Sequence, residues 1–357
     1  MIEKGEIVMR KIKFLRIVSI LSLALTLVLT GCNASQANSE QDGPELKDYE
    51  ASVFDRELTE GKMAVYYMSS GLNISTWYNS TSGGDLMLLI MPDGTTALLD
   101  CGHQGEGAHV VNRLKALGID KLDYFIVSHP HTDHIGGYSI VMRHMDVGHV
   151  YMPPVEVMER ADNVGLRFIA DIEEMGIPYT HLASGDTFEI AKDVTVKVYN
   201  PEIGFDADKK INLNESSLLM KFVYKESSFL MNGDISNNTI KENGYDTEIQ
   251  LVNKWGDELQ ADVSKIGHHG NADAMSTSEW RAAVDAKIYV TMSTFPRDLA
   301  EHMKNVNAGA VSLNTALDGD LVIYTDGDGT YDIQVSKDRT IDGYELLETK
   351  DGFMHVE

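Results

Sequence analysis

Two cysteines, Cys32 and Cys101, are all that this chain of 357 residues contains. A disulfide framework is therefore excluded as its source of stability. Basic residues are also scarce: 30 Lys and Arg stand against 55 Asp and Glu, giving a formal net charge of -25. After residue 16 no stretch is rich in Lys or Arg. Long nucleic acid needs a basic track, so extended nucleic acid is disfavoured as a partner. Long apolar runs are missing as well. The apolar segment 17–30 is too short for a membrane span and suits the core of a signal peptide. No later segment is long and apolar enough to cross a bilayer, and no internal repeat is evident.

The N-terminus carries a positive segment, Arg10, Lys11, Lys13 and Arg16, ahead of that apolar core. The core ends in Leu29-Thr30-Gly31-Cys32, which resembles the lipobox of bacterial lipoproteins. The resemblance implies that residues 1–31 are a signal peptide and that Cys32 is lipidated. The protein is then extracytoplasmic and lipid-anchored to the bacterial cell membrane, with a second acyl chain giving stable rather than marginal anchoring. Residues 32–50 are small and polar, and they read as a flexible tether. Removing residues 1–31, which hold five Lys/Arg and two Glu, takes the net charge from -25 to -28. Such a surface repels polyanions at long range. Cys101 would be the only thiol left, either close to a metal or, as free cysteines usually are, simply buried.

The densest chemistry lies in Ser128-His129-Pro130-His131-Thr132-Asp133-His134-Ile135-Gly136-Gly137. Three of the 12 histidines and one carboxylate fall within six residues, directly after an apolar run, Leu122 to Val127, that reads as a buried strand. Imidazole and carboxylate are the donors that a borderline cation such as zinc prefers. In an extended segment His129 and His131 point the same way. Two downstream sites add donors where strands end: Asn232-Gly233-Asp234, and Ile266-Gly267-His268-His269-Gly270. Taken alone, the first is an ordinary turn and the second an ordinary surface pair. Together with the first motif they fit a dinuclear site.

On these residues the chain resembles the metallo-β-lactamase-fold hydrolases. Their His-x-His-x-Asp-His signature stands as His129, His131, Asp133 and His134. The similarity extends over Gly84-Asp85-Leu86-Met87-Leu88-Leu89-Ile90, the Pro92-Asp93-Gly94 turn and Leu98-Leu99-Asp100-Cys101-Gly102. It runs from about residue 62 to about 335. His268-His269-Gly270 is similar to the motif of the ComEC-type extracytoplasmic domains and the phosphorylcholine esterases. Two departures stand out. Residues 212–217, Asn-Leu-Asn-Glu-Ser-Ser, lack the metal-binding histidine that many members carry there. ComEC-type members also usually lack it. The residues after His-His-Gly are more acidic than in ComEC-type domains.

The resemblance implies an α/β chain with a four-layer αββα sandwich of two mixed sheets, spanning 51–357. It also implies two divalent metal ions, with zinc first and manganese or iron as alternatives. His129 and His131 would bind one ion. Asp133, His134 and one of the histidine pair, His268 by first choice, would bind the other, and Asp234 would bridge them. A hydroxide shared by the ions would be the attacking group. Asp133 and His269 are the candidate catalytic residues, His269 acting on the leaving group. Asp100 is a candidate acceptor that orients a ligand histidine. Among the remaining histidines only His181 is kept in reserve as a ligand.

Local patterns outline the elements. Ala64 to Met68 reads as a strand, and Leu86–Met91 with Thr95–Leu99 as a hairpin. Ala108 to Leu117 and Val164 to Met175 have helical apolar spacing and end at Gly118 and Gly176. Val194–Tyr199, Leu218–Tyr224, Ser228–Met231, Ile288–Met292 and Leu321–Thr325 read as strands, and Ser278 to Val284 as a helix with a serine cap. An insertion at 73–83 bears Trp77 and Tyr78. It is either a self-packed surface loop or a rim suited to a cationic group such as choline. Phe295-Pro296-Arg297 is a second candidate rim.

Three functions remain open. The first is a surface-anchored phosphodiesterase acting on a small-molecule or cell-wall-linked ester or on nucleic acid, the last disfavoured by the acidic charge. The second is a hydrolase of another ester, lactone, thioester or β-lactam. The third is a metal-binding surface protein without catalysis. Fold resemblance alone does not choose among them.

Overall fold

Three almost wholly apolar runs form the middle of one sheet: β1 (Met63–Tyr67), β2 (Leu86–Ile90) and β3 (Thr96–Cys101). Every residue in them is buried, because both faces of the sheet are covered. The computed structural model describes residues 52–70, 84–160, 163–202, 213–236, 246–271, 276–293, 305 and 308–337, and the backbone of 353–356. All of them fall within the unit Leu46–Glu357. The signal segment, Cys32, the tether, the insertion 73–83 with Trp77 and Tyr78, and Phe295-Pro296-Arg297 lie outside the described residues.

The first sheet continues through β4 (Lys121–Ile126), β5 (Asp146–Met152) and β6 (Tyr179–His181). The second holds β7 (Thr187–Ala191), β8 (Val194–Asn200), β9 (Leu219–Tyr224), β10 (Ser227–Met231), β11 (Val263–Lys265), β12 (Ile288–Thr291) and β13 (Val311–Asn314). The chain then returns to the first sheet with β14 (Leu321–Thr325), β15 (Tyr331–Val335) and β16 (Phe353–Val356). The strand orders are β16-β15-β14-β1-β2-β3-β4-β5-β6 and β13-β12-β11-β10-β9-β8-β7. Both sheets are mixed. β3 to β6 run parallel while β1, β2 and β3 alternate; β10 to β13 run parallel while β7 to β10 alternate.

Alternation along the strands assigns the layers. In β10, Phe229 and Met231 join the large core, while Leu230 joins a second core with Leu251, Trp280 and Val284. The helices α1 (Gly107–Ala116), α2 (Thr132–Ile135), α3 (Tyr138–His144), α4 (Val155–Met158) and α5 (Val164–Glu174) fall in the first half of the chain. Of these, α1 and α5 bury Val110, Val111, Leu114, Phe168 and Ile172 in the large core. On the second sheet α6 (Thr247–Trp255) and α7 (Ser278–Val284) cover the outer face. A last short helix, α8 (Thr315–Asp318), precedes β14. The result is the expected αββα sandwich.

The expected strands and helices form within one or two residues of their predicted ends. One detail differs. The cap of α7 is Thr277, whose side chain accepts from Trp280 N at 3.1 Å, and Ser278 is the first helical residue. Strands β5, β6, β7, β13, β15 and β16 and helices α2, α3, α4, α6 and α8 are not outlined by local pattern. In β5, Asp146-Val147-Gly148-His149 holds the strand with little apolar surface; its parallel neighbours β4 and β6 supply the backbone partners.

Candidate metal centre

Each chemically loaded segment leaves the end of a strand. His129 and His131 follow β4, and Asp133 and His134 sit on α2. Asp234 follows β10, and His268 and His269 follow β11. The sandwich thus brings together groups that are remote in sequence.

Two clusters share one carboxylate. Asp133, His134, Asp234 and His269 form the first, and His129, His131 and Asp234 the second, with candidate donor atoms all within 4.8 Å in each. Asp234 Oδ2 lies 3.2 Å from His134 Nε2, 3.6 Å from His269 Nε2 and 3.8 Å from His129 Nε2. His269 Nε2 is 3.3 Å from Asp133 Oδ2, and His129 Nε2 is 2.9 Å from His131 Nδ1. His134 Nε2, His269 Nε2 and Asp234 Oδ1 are buried without a hydrogen-bond partner. Buried polar atoms that converge and stay unsatisfied fit metal donors. Imidazole with carboxylate suits zinc, manganese or iron and does not by itself select among them.

His269, rather than His268, joins the cluster, which corrects the first choice made from sequence. The reason is backbone direction. His268 and His269 both adopt left-handed conformations, φ 47° and 55°. This strained turn aims the His269 ring inward, with Nδ1 3.2 Å from the Met292 carbonyl. Gly267 makes the approach feasible, since a Cβ there would lie 1.6 Å from the Ile235 carbonyl oxygen. His268 remains partly exposed, close enough to Asp234 and Asp133 to feel their charge.

A ring of polar groups supports the clusters. Asp100 Oδ2 is 2.8 Å from His134 Nδ1, and its carboxylate accepts from Ser128 N at 2.8 Å and from Ser128 Oγ at 2.5 Å. Asp85 Oδ1 is 3.3 Å from His269 Nδ1, and its Oδ2 is 3.8 Å from His134 Nδ1. Asp85, Asp100 and His134 also lie close together, but both carboxylates face Nδ1 of His134. They orient the ring so that Nε2 faces Asp234. Lys265 Nζ is 2.7 Å from Asp85 Oδ2. Gly84 brings this segment close: Asp85 N donates to the Asp133 carbonyl, and a Cβ on Gly84 would sit 2.5 Å from that oxygen.

Protonation follows from this crowding. Burial alone would push His134 down, but Asp234, Asp100 and Asp133 raise it well above the usual histidine range. Burial likewise opposes charge on His269, yet Asp234 and Asp85 push it up to about 10. Burial, with help from His134, drives His129 well below the range. Burial opposes ionisation of Asp133, but His134 and His269 hold it well below the usual carboxylate range. Burial raises Asp100 more than His134 lowers it.

Sequence reasoning did not assign roles to Asp85, Lys265, Ser128 or Asn214. Asn214 lies in the stretch that lacks a histidine, is buried, and its side chain hydrogen-bonds His131. A lysine in the apolar run before His-His-Gly was the legible signal for Lys265. Cys101 is buried outside both clusters, and burial raises its thiol well above the usual value. His181, the reserve ligand, also stands outside both; its Nδ1 lies 2.6 Å from the Pro153 carbonyl oxygen.

Paired sheets that converge on adjoining His/Asp clusters define an αββα sandwich with a candidate metal centre at its strand ends. Residues 83–278, more than half of the chain, match the Metallo-beta-lactamase superfamily, and the chain belongs to that superfamily. It is 32% identical to ComE operon protein 3 of Bacillus subtilis over 158 residues, 44% of this chain and 18% of that protein. It is 25% identical to competence protein ComA of Neisseria gonorrhoeae over 221 residues, 61% of this chain and 25% of that one. The match thus spans a quarter or less of each curated relative. Among solved structures, the metallo-beta-lactamase fold protein YhfI from Bacillus subtilis is similar, with 13% identity and a TM-score of 0.47 over 74% of this chain and 99% of that one.

Proposed function

We propose that this chain is a divalent-metal-dependent hydrolase that cleaves phosphodiester bonds in small or cell-wall-linked substrates. The observation that carries the reading is the pair of His/Asp clusters joined at Asp234. His129, His131 and Asp234 would hold one cation, and Asp133, His134, Asp234 and His269 the other. When bound, two divalent cations supply Lewis acidity and an activated water at neutral pH.

The chain's own residues set the rest of the chemistry. Asp100 and Asp85 face Nδ1 of His134 and His269, which turns each Nε2 toward Asp234, where it would be free to hold a cation. His268, partly exposed beside the cluster, would donate a hydrogen bond to the leaving oxygen. It takes the leaving-group role first assigned to His269.

The resemblance of His268-His269-Gly270 to the motif of the phosphorylcholine esterases supports phosphodiester chemistry over lactone or thioester hydrolysis. The net charge of -25 argues for a short substrate over an extended nucleic acid. The lipobox-like Cys32 and the polar stretch after it support anchoring at the outer face of the bacterial membrane. No helix among the described residues is long and apolar enough to cross a membrane.

The test is hydrolysis of bis(p-nitrophenyl) phosphate by the purified full-length chain reconstituted with Zn²⁺ or Mn²⁺, with Asp234→Ala as the blank. Turnover that falls by more than about 100-fold in the blank supports the assignment. Absence of turnover with metal bound would turn the reading toward lactone and thioester substrates.

A further inference from the structure

Lys265 ends β11 at 0% exposure. Its ammonium donates to two backbone carbonyls and pairs with one carboxylate. Nζ lies 2.7 Å from Asp85 Oδ2, 2.6 Å from the Gly233 carbonyl oxygen and 3.0 Å from that of Ile266. Each acceptor belongs to a segment that carries the site. Asp85 faces His269 and His134 through Nδ1. Gly233 directly precedes Asp234, and Ile266 opens the turn of His268 and His269. The contact also crosses the sandwich, because Asp85 leads into β2 of one sheet and Lys265 closes a strand of the other.

We propose that Lys265 is a positioning residue of the metal centre. By clamping Asp85, Gly233 and Ile266 it fixes the directions of His269 and Asp234. This inference rests on reading the clusters as a metal centre.

The alternative is a purely structural ion pair. A buried pair gains little net stability, because desolvation offsets the attraction, and an apolar pair of similar volume does as well. What an apolar pair cannot do is orient. His269 Nδ1 has two acceptors in reach, Asp85 Oδ1 at 3.3 Å and the Met292 carbonyl at 3.2 Å. Together they keep Nδ1 protonated and turn Nε2 toward Asp133 and Asp234. Lys265 holds one of those acceptors in place. Partners of this kind behind a ligand histidine typically change metal affinity by about 10–100-fold.

The experiment compares the full-length chain with Lys265→Met and with the double variant Asp85→Asn/Lys265→Met. Co²⁺ is titrated into each metal-free protein while visible absorption is read, and melting is followed by circular dichroism. The expected result is that Lys265→Met melts lower and binds one Co²⁺ equivalent about 10–100-fold more weakly, with an altered band shape. The double variant, which leaves no unpaired buried charge, regains most of the melting temperature but not the affinity. Wild-type affinity and spectrum in Lys265→Met would overturn the proposal, as would a double variant that regains both properties. If Lys265→Met does not fold, the double variant decides. A parent chain that binds no Co²⁺ would instead overturn the metal-centre reading itself.

Discussion

Asp100 Oδ2 stands 2.8 Å from His134 Nδ1, with both side chains fully buried. The carboxylate is itself held by two donors from Ser128, so it presents a fixed acceptor to the ring. Asp100→Asn keeps the shape but offers a weaker acceptor, or an amine, to Nδ1. Metal affinity is expected to fall by about 10–100-fold, measured by competition with a chromogenic chelator. Unchanged affinity would remove Asp100 from the role of orienting His134.

The two adjacent histidines should separate cleanly. His269→Ala removes a donor from the cluster and is expected to lower bound metal toward one equivalent, read by elemental analysis after dialysis. His268→Ala should retain two equivalents while kcat falls by about 100-fold, the usual scale for a lost proton donor. The reverse pattern would return the ligand role to His268.

Metal binding should release protons. His269 is raised to about 10, so its ring is protonated near pH 8 in the metal-free protein, and His134 is raised well above the usual range. A cation must displace a ring proton to reach the nitrogen. Titration calorimetry at pH 8 in two buffers of different ionisation enthalpy should report at least about one proton released per chain. The linkage also has a sign for stability. The contribution of His269 to the metal-free protein is complete below about 6.5 and is lost as pH rises through about 10. Metal-free melting temperature should therefore drop across that window, and less so in His269→Ala. Proton release near zero would contradict the crowded cluster.

Glu248 offers a pH test away from the centre. Its Oε2 accepts from Thr277 N at 2.7 Å, the residue that caps α7. Burial, only partly opposed by the hydrogen bonds from Thr277 and Ser276, pushes its carboxyl up to about 8. Its stabilising effect is full below about 4.5 and is lost as pH rises through about 8. Glu248→Gln keeps an acceptor for Thr277 N and cannot ionise. Its melting temperature should vary less between those pH values than that of the parent, and an identical pH profile would contradict the assignment.

Much of the fold was legible because burial on both faces demands an uninterrupted apolar run. Leu86 to Ile90 could become nothing but a covered strand or a buried helix segment, and the Pro92-Asp93-Gly94 turn behind it decided for the hairpin. Strand β5 was not legible, since Asp146-Val147-Gly148-His149 owes its conformation to its neighbours in the sheet. His129, His131, Asp133 and His134 could be picked out because they lie on one local turn after one strand. His268 and His269 could not be ranked, since neighbours in sequence differ only in direction, and direction here depends on two left-handed residues packed under Met292.

The sequence by itself determined the donor types, their arrival at strand ends and the layered class of the fold, because local periodicity and side-chain chemistry travel with the chain. Only the tertiary structure decided that His269 turns inward and that Lys265 bridges Asp85 and the turn before Asp234. Those facts depend on distances between segments from opposite sheets. Such distances are set by how two apolar faces pack together, which no single stretch of sequence encodes.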